Sequence, residues 1–255
     1  AGNLEGNGKN WAKRELRMKT RLDAELVRRG LVSSRSQAES WVKLGKVTVD
    51  GKPATKSGQF VREDSDIQLT ATEKYVSRAG LKLASVAELL NVSFKNTVVL
   101  DVGSSTGGFT DYALQHGAKK VFAVDVGTDQ LHPSLHGHER IELHEKTDIR
   151  DFVPSETPDI IVIDVSFISL REILPHLAKR VAGKQTKIMA MVKPQFEASR
   201  QQVNKGVIKN DSVRRQILKD FEFWAKDLFT IVDKRDSEVA GAKGNRERFY
   251  LLRAV

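Results

Sequence analysis

The stretch "TVVLDVGSSTGGFT", residues 97–110, runs from an apolar segment straight into a loop of small residues. Its first half has the near-continuous Val and Leu content of a strand buried on both faces of a parallel sheet. Its second half carries Gly103, Gly107 and Gly108 ahead of an expected helix, "DYALQHG". Glycine lets backbone amides approach a ligand closely, and a helix start adds further N–H groups. No Gly-Lys-Ser/Thr follows, so this is not a phosphate loop, and G-x-x-x-G-G is not the dinucleotide pattern G-x-G-x-x-G. Asp101 precedes Gly103 by two residues and Asp125 follows it by 22. A carboxylate at the second position can grip a ribose diol in either a nicotinamide or an adenosylmethionine enzyme. The loop alone favours a methyltransferase over a dehydrogenase.

"KKVFAVDVG", "DIIVIDV" and "KIMAMVK" repeat the Val- and Ile-rich pattern, separated by helical or mixed segments. Four such runs predict a doubly wound α/β sheet from Val98 onward, with ligands beyond the carboxyl ends of its strands. Asp164 and Lys193 end two of these runs, and Pro194 cuts off strand pairing after Lys193. Before the first run, "SRAGLKLASVAELL" spaces Ala79, Leu83, Val86, Ala87 and Leu90 along one helical face, with Lys82 near its edge. On spacing alone Lys82 only lays its stem on the core and keeps its ammonium in water.

The 255 residues hold 42 Lys and Arg against 33 Asp and Glu, a net charge of +9, with 40% hydrophobic content and no cysteine. That suits one large or two modest domains and a polyanionic partner, nucleic acid first. Disulfides, thiolate metal sites and thiol nucleophiles are excluded. With no apolar run of membrane-spanning length and no secretory leader, the expectation is a cytoplasmic protein without a membrane partner. The charge concentrates between Lys9 and Arg35, where nine basic residues face three acidic ones. Residues 1–13 read as a flexible lead-in, 14–71 as a small α+β domain, 72–77 as a linker and 78–255 as the α/β domain. In the small domain, "RLDAELVRRGL" and "SSRSQAESWVKLG" read as helices, the second capped by Ser33 or Ser34. "KVTVDGKPA" reads as a hairpin turning at Asp50-Gly51, and "DIQL" as a closing strand.

On "RLD", "RRGLVSSRSQAE", "LGKVTVDGK" and "DSDIQL", this region resembles the alpha-L RNA-binding module of a small-subunit ribosomal protein. The resemblance implies an RNA backbone surface, to which we assign Arg14, Arg17, Lys19, Arg21, Arg28, Arg29, Arg35, Lys43 and Lys46. The alternative for such a charge run is a solvated helix face.

In sequence order, "YVSRAGLKL", "LDVGSSTGGFTD", "AVDVGTDQL", "EKTDIRDF", "IDVSFISLREILP", "VKPQFEAS", "KGVIK" and "GAKGNRERF" resemble the TlyA family. That family is known both as hemolysins and as FtsJ-like ribosomal RNA ribose 2'-O-methyltransferases. The resemblance implies a Rossmann-like adenosylmethionine-dependent methyltransferase fold, mostly parallel with an antiparallel last strand, and a Lys-Asp-Lys-Glu tetrad at Lys82, Asp164, Lys193 and Glu247. It also implies S-adenosyl-L-methionine held by Asp101, Gly103, Ser105, Thr106, Gly107, Gly108 and Phe109, by Asp125 and Val126, by Asp148 and Ile149, and beside Asp164. Asp148 has a second reading, as a cap or turn residue. Lys193 is expected to act as the base or as the donor orienting the 2'-hydroxyl, Lys82 to supply positive charge near the oxygen, and the two acids to orient the lysines. The implied acceptor is a cytidine ribose in ribosomal RNA, of the large subunit and in some members the small. Two other classes stay open, a membrane-lytic protein and a noncatalytic ribosome assembly factor. His132, His136, His138 and His144 cluster without the carboxylate pattern of a metal site, so no metal is expected.

Overall fold

The computed structural model describes residues 19–32, 34–43, 45–70, 74–203, 206–239, 241 and 244–255. The expected lead-in, Arg14 and Arg17 lie outside the described residues. The chain divides into two compact units, Ala1–Lys74 and Tyr75–Val255.

In the first unit, β1 (Lys19–Arg21) leads into α1 (Leu22–Arg28), followed by α2 (Arg35–Lys43), β2 (Val47–Val49), β3 (Lys52–Pro53), β4 (Phe60–Arg62) and β5 (Ile67–Leu69). Leu22, Leu26, Ala38, Trp41 and Val42 are buried with Val47, Val61 and Ile67. Apolar residues at helical spacing thus meet alternating strand residues. Ser34 Oγ accepts from Gln37 N at 3.2 Å at the start of α2. Asp50 and Gly51 both have positive φ, 50° and 74°, as the two-residue turn between β2 and β3 demands. β5 pairs with β2. The ribbon of β1 with β4 was not expected, because "KTR" shows no apolar alternation.

The second unit contains α3 (Arg78–Ala87), β6 (Val98–Val102), α4 (Gly108–Gln115), β7 (Lys120–Val124), β8 (Ile141–His144), β9 (Ile160–Ile163), α5 (Leu174–His176), β10 (Lys187–Val192), α6 (Pro194–Glu197), α7 (Asp211–Ala225), β11 (Phe229–Asp236) and β12 (Arg248–Ala254). Its seven-stranded sheet has the order β11-β12-β10-β9-β6-β7-β8. The five strands from β8 to β10 are mutually parallel, and β12 runs antiparallel to both β10 and β11. Successive residues of β6 feed opposite layers. Val99 packs with Leu83, Val86, Phe109 and Met189, and Leu100 with Phe122, Ile161, Leu174 and Phe221. Burial on both faces explains the unbroken apolar runs. Tyr75 and Val76, expected in the linker, belong to this unit. Tyr75 is buried 5.4 Å from the Tyr112 ring, and Val76 N donates to Asp111 Oδ2 at 2.8 Å. Strand order reverses between β6 and β9, which places a crevice beyond their carboxyl ends.

Candidate active site

At that crevice the backbone leaves β6 through Gly103, Ser105 and Gly107, all with positive φ (80°, 46° and 87°). A β-carbon on Gly103 would lie 2.8 Å from the Asp164 carbonyl oxygen, so only glycine lets the β6 and β9 ends approach this closely. Gly107 caps α4 and Gly108 begins it, packed against α3, so both shape the loop from behind. Asp125, one residue past β7, braces the same loop. Its Oδ2 accepts from Ser105 N at 2.8 Å and its Oδ1 from Gly127 N at 2.7 Å.

A cleft of about 380 Å³ opens here, lined by Gly103, Ser105, Asp125, Val126, Gln130, Asp148, Ile149, Asp164 and Phe167 among others. A smaller recess of about 140 Å³, lined by Asp101, Thr106, Phe109 and Lys193, shares Gly103, Ser105, Asp164 and Ser166 with it. Phe109 also belongs to the core, its ring 6.0 Å from that of Phe249. Asp148 caps a short turn through Arg150 N and pairs with the Arg150 guanidinium at 2.6 Å while still lining the cleft, so both readings of it describe the same side chain.

Asp101 is fully buried at the end of β6. Its Oδ2 accepts from Thr110 Oγ1 at 2.7 Å, while Oδ1 has no hydrogen-bond partner. Burial, with help from the nearby charges of Asp164 and Asp125, pushes its carboxyl up to about 7 despite the Thr110 bond. An orphaned carboxylate oxygen beside a glycine-lined loop suits a cationic, amine-bearing ligand such as adenosylmethionine.

The four tetrad positions form two ion pairs. Lys193, just past β10, reaches Asp164 Oδ1 at 2.6 Å and donates to Ser166 Oγ at 2.8 Å. Lys82, from the middle of α3, reaches Glu247 Oε2 at 2.5 Å. Each acid thus meets one lysine, Asp164 with Lys193 and Glu247 with Lys82. Lys82 itself is buried, not snorkelling, because Glu247 supplies the partner that spacing along α3 cannot reveal. Glu247 stands one residue before β12 and not within it.

Sequence reasoning missed Ser166 and Phe167, which have no periodic signal. Phe167 is 92% exposed at φ 66°, its ring 5.3 Å from that of Phe196. Glu197 Oε2 accepts from Ser169 Oγ at 2.6 Å and Oε1 from Leu170 N at 2.7 Å, tying α6 to the segment that carries Asp164, Ser166 and Phe167.

In the first unit, buried Asp23 holds Arg21 and Arg35 at 2.8 and 3.0 Å, and buried Glu25 holds Arg28 and Arg29, each at 2.7 Å. Both carboxyls are pulled down to about 2 by these arginines. Arg29 further donates to the carbonyls of Ser65 and Glu63, so its guanidinium is spent on the fold. Lys19 and Lys46 are exposed, and the Lys43 side chain lies outside the described residues. The clustered histidines bond locally: His132 to Ser134, His136 to the Leu131 carbonyl and His144 to Glu142. Among the described residues no helix is long and apolar enough to cross a membrane.

Residues 75–254 match the family model of the FtsJ-like methyltransferase, and residues 20–67 that of the S4 domain. The chain belongs to the FtsJ-like methyltransferase family. This is an adenosylmethionine-dependent family, and the FtsJ-like unit here carries an S4 domain in front of it. The chain is 38% identical to the 16S/23S rRNA (cytidine-2'-O)-methyltransferase TlyA of Mycobacterium tuberculosis, over 92% of this chain and 90% of that protein. It is 42% identical to the 23S rRNA (cytidine-2'-O)-methyltransferase TlyA of Campylobacter jejuni, over 70% and 71%. A hemolysin-named protein of Streptococcus thermophilus superimposes with a TM-score of 0.73 at 36% identity, covering 93% of this chain and 89% of that one.

Proposed function

We propose that this FtsJ-like chain transfers a methyl group from adenosylmethionine to a cytidine ribose 2'-hydroxyl in ribosomal RNA, acting in the cytoplasm where ribosomal subunits are found. The observation that carries the reading is the Lys193–Asp164 pair beside the cleft, with Ser166 as a second acceptor on the same ammonium. A bound adenosylmethionine supplies an already activated methyl on sulfur. The protein must then hold the 2'-oxygen in line and dispose of one proton.

Lys193 has three N–H directions, two of them occupied by Asp164 and Ser166. The third is left for the ribose oxygen, in the recess that Lys193 lines. Lys193 acts there as the base for the hydroxyl proton or as the donor that orients the hydroxyl, with Asp164 fixing its nitrogen. Lys82, held by Glu247, places positive charge where the oxygen gains electron density. Phe167 and Phe196 offer stacking faces for an unstacked base at the cleft mouth, and the S4 unit supplies phosphate contacts that carry affinity without sequence information.

The test is incubation with ribosomal subunits and labelled adenosylmethionine, followed by mapping of 2'-O-methyl positions. Methylation of a cytidine ribose, abolished in Lys193→Met, is the expected result and also assigns the subunit. Label on a base, or none, overturns the proposal.

A further inference from the structure

Within the tetrad, Glu247 is delivered from just before the antiparallel β12, and the loop before it is clamped from three sides. Ser237 N donates to the Glu247 carbonyl at 3.0 Å, Gly241 N to the Asn245 carbonyl at 2.8 Å, and Arg214 Nε to the Arg246 carbonyl at 3.0 Å. Arg214 comes from the first turns of α7, is only 6% exposed, and also donates to Asp236 Oδ1 at 2.8 Å. Asn245, equally buried, accepts from Ile208 N at 3.1 Å and donates to the Gly206 carbonyl at 2.9 Å. The loop also closes on the carboxylate itself, since a β-carbon on Gly241 would overlap Glu247 Oε1.

Burying a guanidinium and a carboxamide to satisfy loop carbonyls is a costly way to stabilise a surface hairpin. It is a direct way to fix one carboxylate. We propose that Arg214 and Asn245 are positioning residues whose task is to hold the Glu247 carboxylate on Lys82. Neither touches the cleft. They act through the peptide on either side of Arg246, and a displacement of about 1 Å there would cost on the order of 100-fold in rate. The inference rests on the proposed tetrad for its catalytic consequence, while the clamp on Lys82 can be read without any reaction.

Acylation of the full chain by a water-soluble amine-reactive ester, mapped by mass spectrometry, reads Lys82 directly. Labelling of Lys82 should rise roughly fivefold in Arg214→Met and in Asn245→Ala, matching Glu247→Gln, with Lys193 unchanged. Unchanged Lys82 labelling in both variants overturns the proposal, as does a uniform rise over all lysines of the second unit, which would mark general loosening. In methyl transfer, Arg214→Met should slow the wild type about 10- to 100-fold, leave adenosylmethionine affinity within about twofold, and slow Glu247→Gln by less than about twofold. Equal slowing in both backgrounds overturns it. A wild type that methylates no ribosomal RNA while the Lys82 labelling behaves as expected would sink the proposed function and leave the clamp standing.

Discussion

Replacing Asp101 by Asn tests whether the buried carboxyl is held protonated by its surroundings. Below about pH 4 the group carries its proton in the folded and the unfolded chain alike. As pH rises the unfolded carboxyl ionises at its ordinary 3.8, while the folded one keeps its proton until about 7. The stability contributed by the neutral form is therefore full at low pH and lost as pH climbs through 7. Asn keeps an acceptor for Thr110 and cannot ionise, so any cost of its amide is independent of pH. The gap between Asp101→Asn and wild type should widen in the variant's favour by roughly 3 kcal/mol between pH 5 and pH 8, at about 1.4 kcal/mol per tenfold change in proton affinity. Urea unfolding is the assay, in a Trp11→Phe, Trp41→Phe background that leaves Trp224, the third of three tryptophans, as sole reporter for the second unit. The expected difference is a shift of the midpoint by about 1 M urea. A gap that is the same at both pH values would refute the reasoning.

Lys193→Met should lower the methyl-transfer rate about 10²- to 10⁴-fold with adenosylmethionine affinity changed only a few-fold, measured by single turnover and calorimetry. Phe167→Ala should weaken RNA binding about tenfold, with recovery in Phe167→Trp, in a filter-binding titration. Glu25 is held at about 2 by Arg28 and Arg29, so the first unit should lose stability as pH falls from about 4.5 toward 2, a dependence that Glu25→Gln flattens in acid unfolding followed by circular dichroism. Arg35→Ala should reduce the salt dependence of RNA affinity by about one counterion, whereas Arg29→Ala should lower the melting temperature and leave that slope unchanged.

Strands β6, β7, β9 and β10 were legible because burial on both faces leaves an unbroken apolar run, and the carboxyl-edge placement of Asp164 and Lys193 followed from where those runs stop. Lys82 was legible only through family resemblance. Its partner Glu247 lies at the far end of the chain, and an amphipathic helix with one lysine at its edge gives no hint of it. Arg214 hid in the same way, a charged residue on a helix rich in charge. Ser166 and Phe167 sit on an irregular turn, where periodicity carries no information. In the S4 unit the arginine pattern was visible, but which guanidinium meets RNA and which staples the fold depends on Glu25, Glu63 and Ser65 converging on Arg29.

The charges around the cleft separate the two halves of the reaction. Each lysine of the tetrad has its own carboxylate, so the four side chains together carry no net charge to draw in a polyanion. Asp148 is balanced by Arg150, and both oxygens of Asp125 are already met by backbone N–H groups. In the recess they share with Lys193, Asp101 Oδ1 and Ser104 Oγ are buried without a hydrogen-bond partner, and of the two only Asp101 can carry charge. A pyrophosphate placed here would meet three carboxylates and a loop whose amides are partly spent, whereas a sulfonium or ammonium would find an acceptor waiting. In the proposed function, attraction for RNA comes from elsewhere on the chain, from the arginines fanned around Asp23 and Glu25. On that proposal, binding energy for the polyanion and electrostatics for methyl transfer are carried by different residues, which lets the cleft stay hospitable to a cation while the chain as a whole bears a charge of +9.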